Sequence, residues 1–206
     1  MQESAQEQYS FTHFNCLHGV GHGLMLTLDA DLWETIPYCA TLDDDRWEYR
    51  SCLGGAFMEN VVTAQGEGRD EATLRDDDLL YPCTALEGLE RDECLLMQTS
   101  WVLYELDYDY AVAFGVCDGL DHTGRVTCYQ SMGRDLSGNS RLDVDRVVRG
   151  CELGAEGYRW SCVRGAALNA VYSEHGTGAA EALCTAVDPS HREICDASVE
   201  EASSTF

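Results

Sequence analysis

Three of the six histidines stand within ten residues, in the string His13-Phe14-Asn15-Cys16-Leu17-His18-Gly19-Val20-Gly21-His22-Gly23. On a helix, His18 and His22 project about 40° apart and one turn apart, the spacing at which two imidazoles can share a metal ion. Cys16 projects about 160° from His18, so one helix cannot bring all three to one ion. His13 is also off that face. The string is not the zinc-protease motif, because Gly19 follows His18 where that motif has its general-base Glu. Gly19, Gly21 and Gly23 cost about 1 kcal/mol each against Ala in a helix. They are expected to be compensated by something packing closely on the backbone. The chemistry open to this segment is a metal site on His18 and His22, completed by Glu59 or Glu34 from the next unit and holding one transition metal, Zn or Cu.

The elements that must position these residues announce themselves through cysteine. Ten of the eleven cysteines form five pairs, Cys39/Cys52, Cys83/Cys94, Cys117/Cys128, Cys151/Cys162 and Cys184/Cys195, the first with members thirteen apart and the others eleven. First members at 83, 117, 151 and 184 step by 34, 34 and 33 residues, a period belonging to stacked helix-turn-helix units. Helical apolar spacing follows each second cysteine, as at Tyr129, Met132 and Leu136 or Val163, Ala166 and Ala170. Breakers lie between the cysteines, as at Asp118-Gly119 and Asp188-Pro189-Ser190, with Asp188 and Ser190 as candidate N-caps. Each unit therefore reads as helix A ending at one cysteine, a turn, and helix B carrying the other cysteine in its first turn. An antiparallel pair of this kind brings the two close enough to bridge.

The expected fold is all-α: a right-handed α-solenoid of about five disulfide-stapled repeats behind an N-terminal half-repeat. Residues 1–30 form the half-repeat, 31–200 the array with an acidic insertion near 65–78, and 201–206 a flexible tail. Cys16 aligns with a second cysteine but has no partner in the array, which leaves a free thiol, a bridge to a cysteine of a removed upstream segment or a bridge to another molecule; its neighbours Phe14 and Leu17 favour a buried, free thiol.

The stapled array resembles the Sel1-like branch of the tetratricopeptide superfamily, in particular the cysteine-rich solenoids of the Helicobacter type. The resemblance covers about residues 31–200 and is architectural. It implies binding or scaffolding outside the cytoplasm, with no defined chemistry.

Charge narrows the partners. The formal charge is -24, and all thirteen basic residues are Arg. So negative a chain repels phosphate backbones, which argues against nucleic acid and anionic membranes and for basic partners or a salty medium. No apolar stretch is long enough to span a bilayer. Met1-Gln2-Glu3-Ser4 lacks a signal peptide's basic and apolar regions, so an exported chain is expected here in mature form. Patterned cysteines without any CxxC point to an oxidising compartment: secreted, periplasmic or cell-surface.

Aligning on the second cysteine sets Gly54 and Met58, Leu96 and Ser100, Gln130 and Arg134, and Arg164 and Leu168 at the positions of His18 and His22. Glu59, Asp135 and Asn169 follow one residue further on. A polar strip along the stack is expected, with Gln130, Arg134, Arg164 and Asn169 as candidate ligand contacts. Arg134 and Arg164 are better suited to surface ion pairs than to ligand clamps in so acidic a chain. His122, His175 and His191 fall in turns or helix ends. Asp43-Asp44-Asp45 and Asp76-Asp77-Asp78 lack the EF-hand pattern and read as solvated turns. The role expected is an extracytoplasmic module whose groove holds a protein, peptide or small ligand. The alternative is a metal-binding protein or metal-dependent enzyme centred on His18 and His22.

Overall fold

The computed structural model describes residues 11–42, 47–66, 69–174 and 176–204, and among these it is all-α with no strand. Long helices carry the second cysteines: α3 (Trp47–Gln65), α4 (Gly88–Glu105), α6 (His122–Asn139), α8 (Arg159–Glu174) and α10 (Arg192–Ser203). Short helices α2 (Leu32–Cys39), α5 (Tyr110–Cys117), α7 (Val144–Glu152) and α9 (Gly178–Ala186) end at or just beyond the first cysteines. The half-repeat is α1 (Phe11–Thr27). All five expected disulfides are present: Cys39–Cys52, Cys83–Cys94, Cys117–Cys128, Cys151–Cys162 and Cys184–Cys195, with Cα separations of 5.4–5.7 Å. Each bridge contributes about 2–4 kcal/mol, chiefly by restricting the unfolded chain.

Three inter-unit turns share one backbone solution. Asp29-Ala30, Asp107-Tyr108 and Arg141-Leu142 all lie in the left-handed region. The second amide of each pair donates to a carbonyl five residues back, for example Tyr108 to Leu103 at 2.8 Å. The following Asp31, Asp109 and Asp143 then cap α2, α5 and α7 through side-chain oxygens. Reversing the chain this way lets each short helix fall back on the long one before it. In α7 the apolar Val144, Val147, Val148 and Cys151 recur at helical spacing and turn toward the core, while Arg149 and Glu152 face solvent.

The long helices contact one another in the order α1, α3, α4, α6, α8, α10. Two of these seams bring backbones together through reciprocal glycines. A Cβ on Gly21 would overlap the Cys52 carbonyl, and one on Gly55 would overlap that of His18. In the α6–α8 seam Gly133 and Gly165 stand in the same relation to Cys162 and Gln130. A buried serine repeats with them: Ser51 donates to the Phe14 carbonyl and Ser161 to that of Val126, both at 2.6 Å.

Several expectations need correction. Four of the five stapled units are helix pairs, but the second has no helix A. Cys83 instead opens a 3-10 turn, Cys83–Ala85, so Cys94 is bridged to a turn and not to a helix end. Pro82 just before it and the acidic run Asp76-Asp77-Asp78 do not support a helix. That segment is a strap held by side chains: Asn60 bonds both backbone groups of Thr73, and Gln98 donates to the carbonyls of Leu79 and Tyr81. Ala72 and Leu74 pack beneath it on Val61, Ala64 and Trp101. The expected insertion overlaps structured chain, since Gln65 still belongs to α3.

The second cysteines also sit differently from expectation. Cys162 and Cys195 occupy the first turn of α8 and α10 as expected. Cys52, Cys94 and Cys128 do not; they lie in the second turn, because α3, α4 and α6 begin further ahead of them. Asp121 shows why for Cys128: it caps the Gly124 amide and starts α6 a full turn before the bridge. Ahead of Cys195, Asp188 and Ser190 do not cap the long helix. Asp188 caps a separate 3-10 turn, Pro189–His191, and α10 opens at His191 without a side-chain cap. At the other end Glu201, Ala202 and Ser203 continue α10, with Ala202 fully buried, so the ordered chain reaches further than expected. Asp43, Asp44, Asp45, His175 and Phe206 lie outside the described residues.

Candidate functional site

Positions two and six after each long-helix cysteine share one face, and the structure couples that face from helix to helix. His22 Nδ1 lies 2.6 Å from Glu59 Oε2 between α1 and α3. Ser100 Oγ donates to Asp135 Oδ1 at 2.9 Å between α4 and α6. Arg164 pairs with Glu201 between α8 and α10, at 2.9 Å. Members of that face therefore meet across three seams, α1–α3, α4–α6 and α8–α10, and most are half-buried.

At its first end the His18 and His22 rings meet edge-on with centroids 5.1 Å apart, and Phe14 stacks on His18. The His18 ring sits over Gly54, where an added Cβ would meet it at ordinary van der Waals distance. Its Nδ1 is buried without a well-formed hydrogen bond. Burial lowers the His18 pKa, His22 nearby lowers it further, and the Ser51 backbone pulls the other way. His18 is thus held toward the neutral form. Glu59 joins this group through His22, whereas Glu34 is exposed on α2. Among the described residues no three His, Cys, Asp or Glu side chains converge as a metal site requires. His22 already directs Nδ1 at Glu59, and the His18 Nδ1 faces the α3 backbone.

The paired cysteines supply no thiolate to any site. Cys52, Cys94, Cys128, Cys162 and Cys195 are buried in the core with their sulfurs bonded to Cys39, Cys83, Cys117, Cys151 and Cys184. Cys16 is free but exposed, which overturns its expected burial. The face of α1 that packs on α3 runs through Phe14, His18, Gly21 and Met25, and Cys16 projects to the other side. The three glycines also separate. Gly21 is packed on α3, while a Cβ on Gly19 or Gly23 would meet nothing.

Arg134 is fastened in the middle of the strip. It donates to Asp135 Oδ1, Ser100 Oγ, the Leu96 carbonyl and Met97 Sδ. Asp135 also accepts from Thr99 at 2.6 Å, and Ser131 donates to the Leu96 carbonyl at 2.6 Å. The guanidinium expected as a ligand contact thus serves first to tie α4 to α6. Thr99 and Ser131 went unnoticed in the sequence, where small hydroxyl residues three and five positions past a cysteine carry no signal of their own. Above this network opens a groove of about 290 Å³ between α3, α4 and α6, lined by Met58, Val62, Met97, Ser100, Arg134 and Asp135 among others. Val62 is 52% exposed there. Gln130 lies beneath Gly165 of α8 through its backbone. Asn169 keeps a buried Nδ2 without a hydrogen-bond partner.

No family model, curated protein or solved structure matches this chain. Five intramolecular disulfides suit an oxidising, extracytoplasmic environment. No described helix is long and apolar enough to cross a membrane.

Proposed function

We propose that the chain is an extracytoplasmic binding module, secreted, periplasmic or at a cell surface. Its long helices form the inner wall of a right-handed α-solenoid of the Sel1-like, tetratricopeptide type, and that wall receives a segment of a protein or peptide partner. The observation carrying this reading is the α3–α4–α6 groove. Apolar Met58, Val62 and Met97 border solvent there above an Arg134–Asp135 pair already held by its own neighbours. Flexible thioether side chains suit adaptable apolar contact. With a net charge of -24, partners bearing positive charge are drawn in and acidic ones repelled.

A photo-crosslinking residue at position 62, compared with one at exposed Leu153, tests the reading. A partner captured only from position 62, identified, purified and then failing to bind Val62→Asp, supports it. Equal capture from both positions, or unchanged binding to Val62→Asp, removes the groove from the account.

The alternative is a metal-binding protein or metal-dependent enzyme at His18 and His22, favoured by the paired rings and the adjoining Glu59. Elemental analysis of untagged protein beside His18→Ala/His22→Ala decides it. Equal, substoichiometric metal in both ends that reading.

A further inference from the structure

A second concavity lies where the α7–α8 and α9–α10 turns come together. One part is a cavity of about 130 Å³ floored by Val148, Val163 and Val187. Ser190 and His191 join it to a wider open groove walled by Trp160, Ile194 and Ala197. Four carboxylates border the two parts, those of Glu152, Glu156, Asp188 and Glu193, against the single guanidinium of Arg159.

The neighbouring cations already have partners. Arg159 directs Nε to the Gly154 carbonyl at 2.9 Å. Arg192 donates to the carbonyls of Cys184 and Thr185, and Arg164 pairs with Glu201. Asp188 is held as a carboxylate: the Ser190 side chain and backbone both donate to it and keep its pKa below the usual range. Glu152, Glu156 and Glu193 have no ion-pair partner among the described residues. The combination is an apolar-floored slot with an anionic mouth. A methylene stem ending in a cation is its complement, since such a side chain buries its carbons and keeps its charge at the rim.

We propose that this slot takes a Lys or Arg side chain of a polypeptide partner, with an apolar neighbour in the partner resting on Trp160 and Ile194. The inference rests on the binding-module reading and adds the partner's chemistry. The side chain's stem lies on Val148, Val163 and Val187, and its charge meets Glu152, Glu156 and Asp188.

The test uses fluorescent peptides identical except at one position, which holds Arg, Lys or norleucine beside a leucine. Binding is followed by anisotropy and by the Trp160 indole NMR signal, on the oxidised full chain. The expected result is that the Arg and Lys peptides bind about fivefold to tenfold tighter than the norleucine peptide and shift the Trp160 signal. Glu152→Gln/Glu156→Gln should erase that ratio while leaving the circular dichroism unchanged. A charge-matched control on the strap, Asp70→Asn/Glu71→Gln, should retain it. Equal binding of the norleucine peptide, or a ratio lost in both double variants, overturns the slot and leaves the binding module standing. Binding that shifts signals of Met58 and Met97 but not Trp160 does the same. Absence of binding by every peptide, together with failure of position 62 to capture a partner, overturns both.

Discussion

At the scale of single residues, glycines with the same sequence look have opposite consequences. Gly165 has no room for a Cβ because the Gln130 backbone lies against it, whereas Gly19 faces open space. Gly165→Ala is expected to lower stability by about 2–3 kcal/mol through forced separation of α6 from α8. Gly19→Ala should raise it by up to about 1 kcal/mol through helix propensity alone. Urea denaturation of the oxidised protein measures both. His18 gives a pH signature. Burial holds its folded pKa below the usual 6.5, so the unfolded chain binds the proton more readily. The stability from keeping this ring neutral is complete above pH 6.5 and is lost as pH falls toward the folded pKa. His18→Gln should therefore lose less stability than wild type on going from about pH 7.5 to about pH 5.5, read as the difference in Tm shifts. If the two proteins respond identically, His18 is not a buried titrating group. The pairing of His18 with His22 was legible from helical phase, but the sequence offered Glu59 and Glu34 alike as neighbours. The exposure of Cys16 was not legible. It depends on which flank of α1 finds a neighbour, and nothing in the spacing of Phe14, Cys16 and Leu17 decides that.

Among the elements, the short helices depend on their starts. Asp109 accepts from the amides of Ala111 and Val112 after two left-handed residues, and α5 has only eight residues to offset that turn. Asp109→Ala should cost about 1 kcal/mol, with faster hydrogen exchange concentrated in α5. Cys117→Ala/Cys128→Ala releases the same helix at its other end and should cost about 2–4 kcal/mol by chemical denaturation. A loss no larger than that of a surface substitution would mean packing alone holds α5. The helix pairs themselves were legible because cysteine spacing and apolar period agree. The strap before α4 was not, since its Cys83/Cys94 spacing matches the others. Pro82 and Asp76-Asp77-Asp78 argue against a helix there, but the strap's course is held by distant side chains, Asn60 and Gln98, whose bonds to Thr73, Leu79 and Tyr81 appear only once the chain is folded.

The whole molecule carries a charge of -24, and carboxylates repel one another across its surface at low ionic strength. Raising NaCl from about 0.01 M to about 1 M should increase Tm, because screening weakens that repulsion while the largely apolar core is unaffected. A Tm that falls with salt would show that the surface ion pairs, such as Arg91–Asp121, matter more than the net charge. The period and the acidity were both readable from composition and spacing. How the seams between long helices differ was not, because it turns on which glycines meet backbone. Two seams, α1–α3 and α6–α8, are closed backbone to backbone by reciprocal glycines. The α4–α6 seam between them is bridged by side chains, through Arg134, Asp135 and Thr99. The two glycine seams hold their helix backbones closer than the α4–α6 seam, where side chains fill the space between helices. Load applied across the molecule should therefore show first at the α4–α6 seam, beside Arg134, as a change in spacing that the glycine seams do not permit.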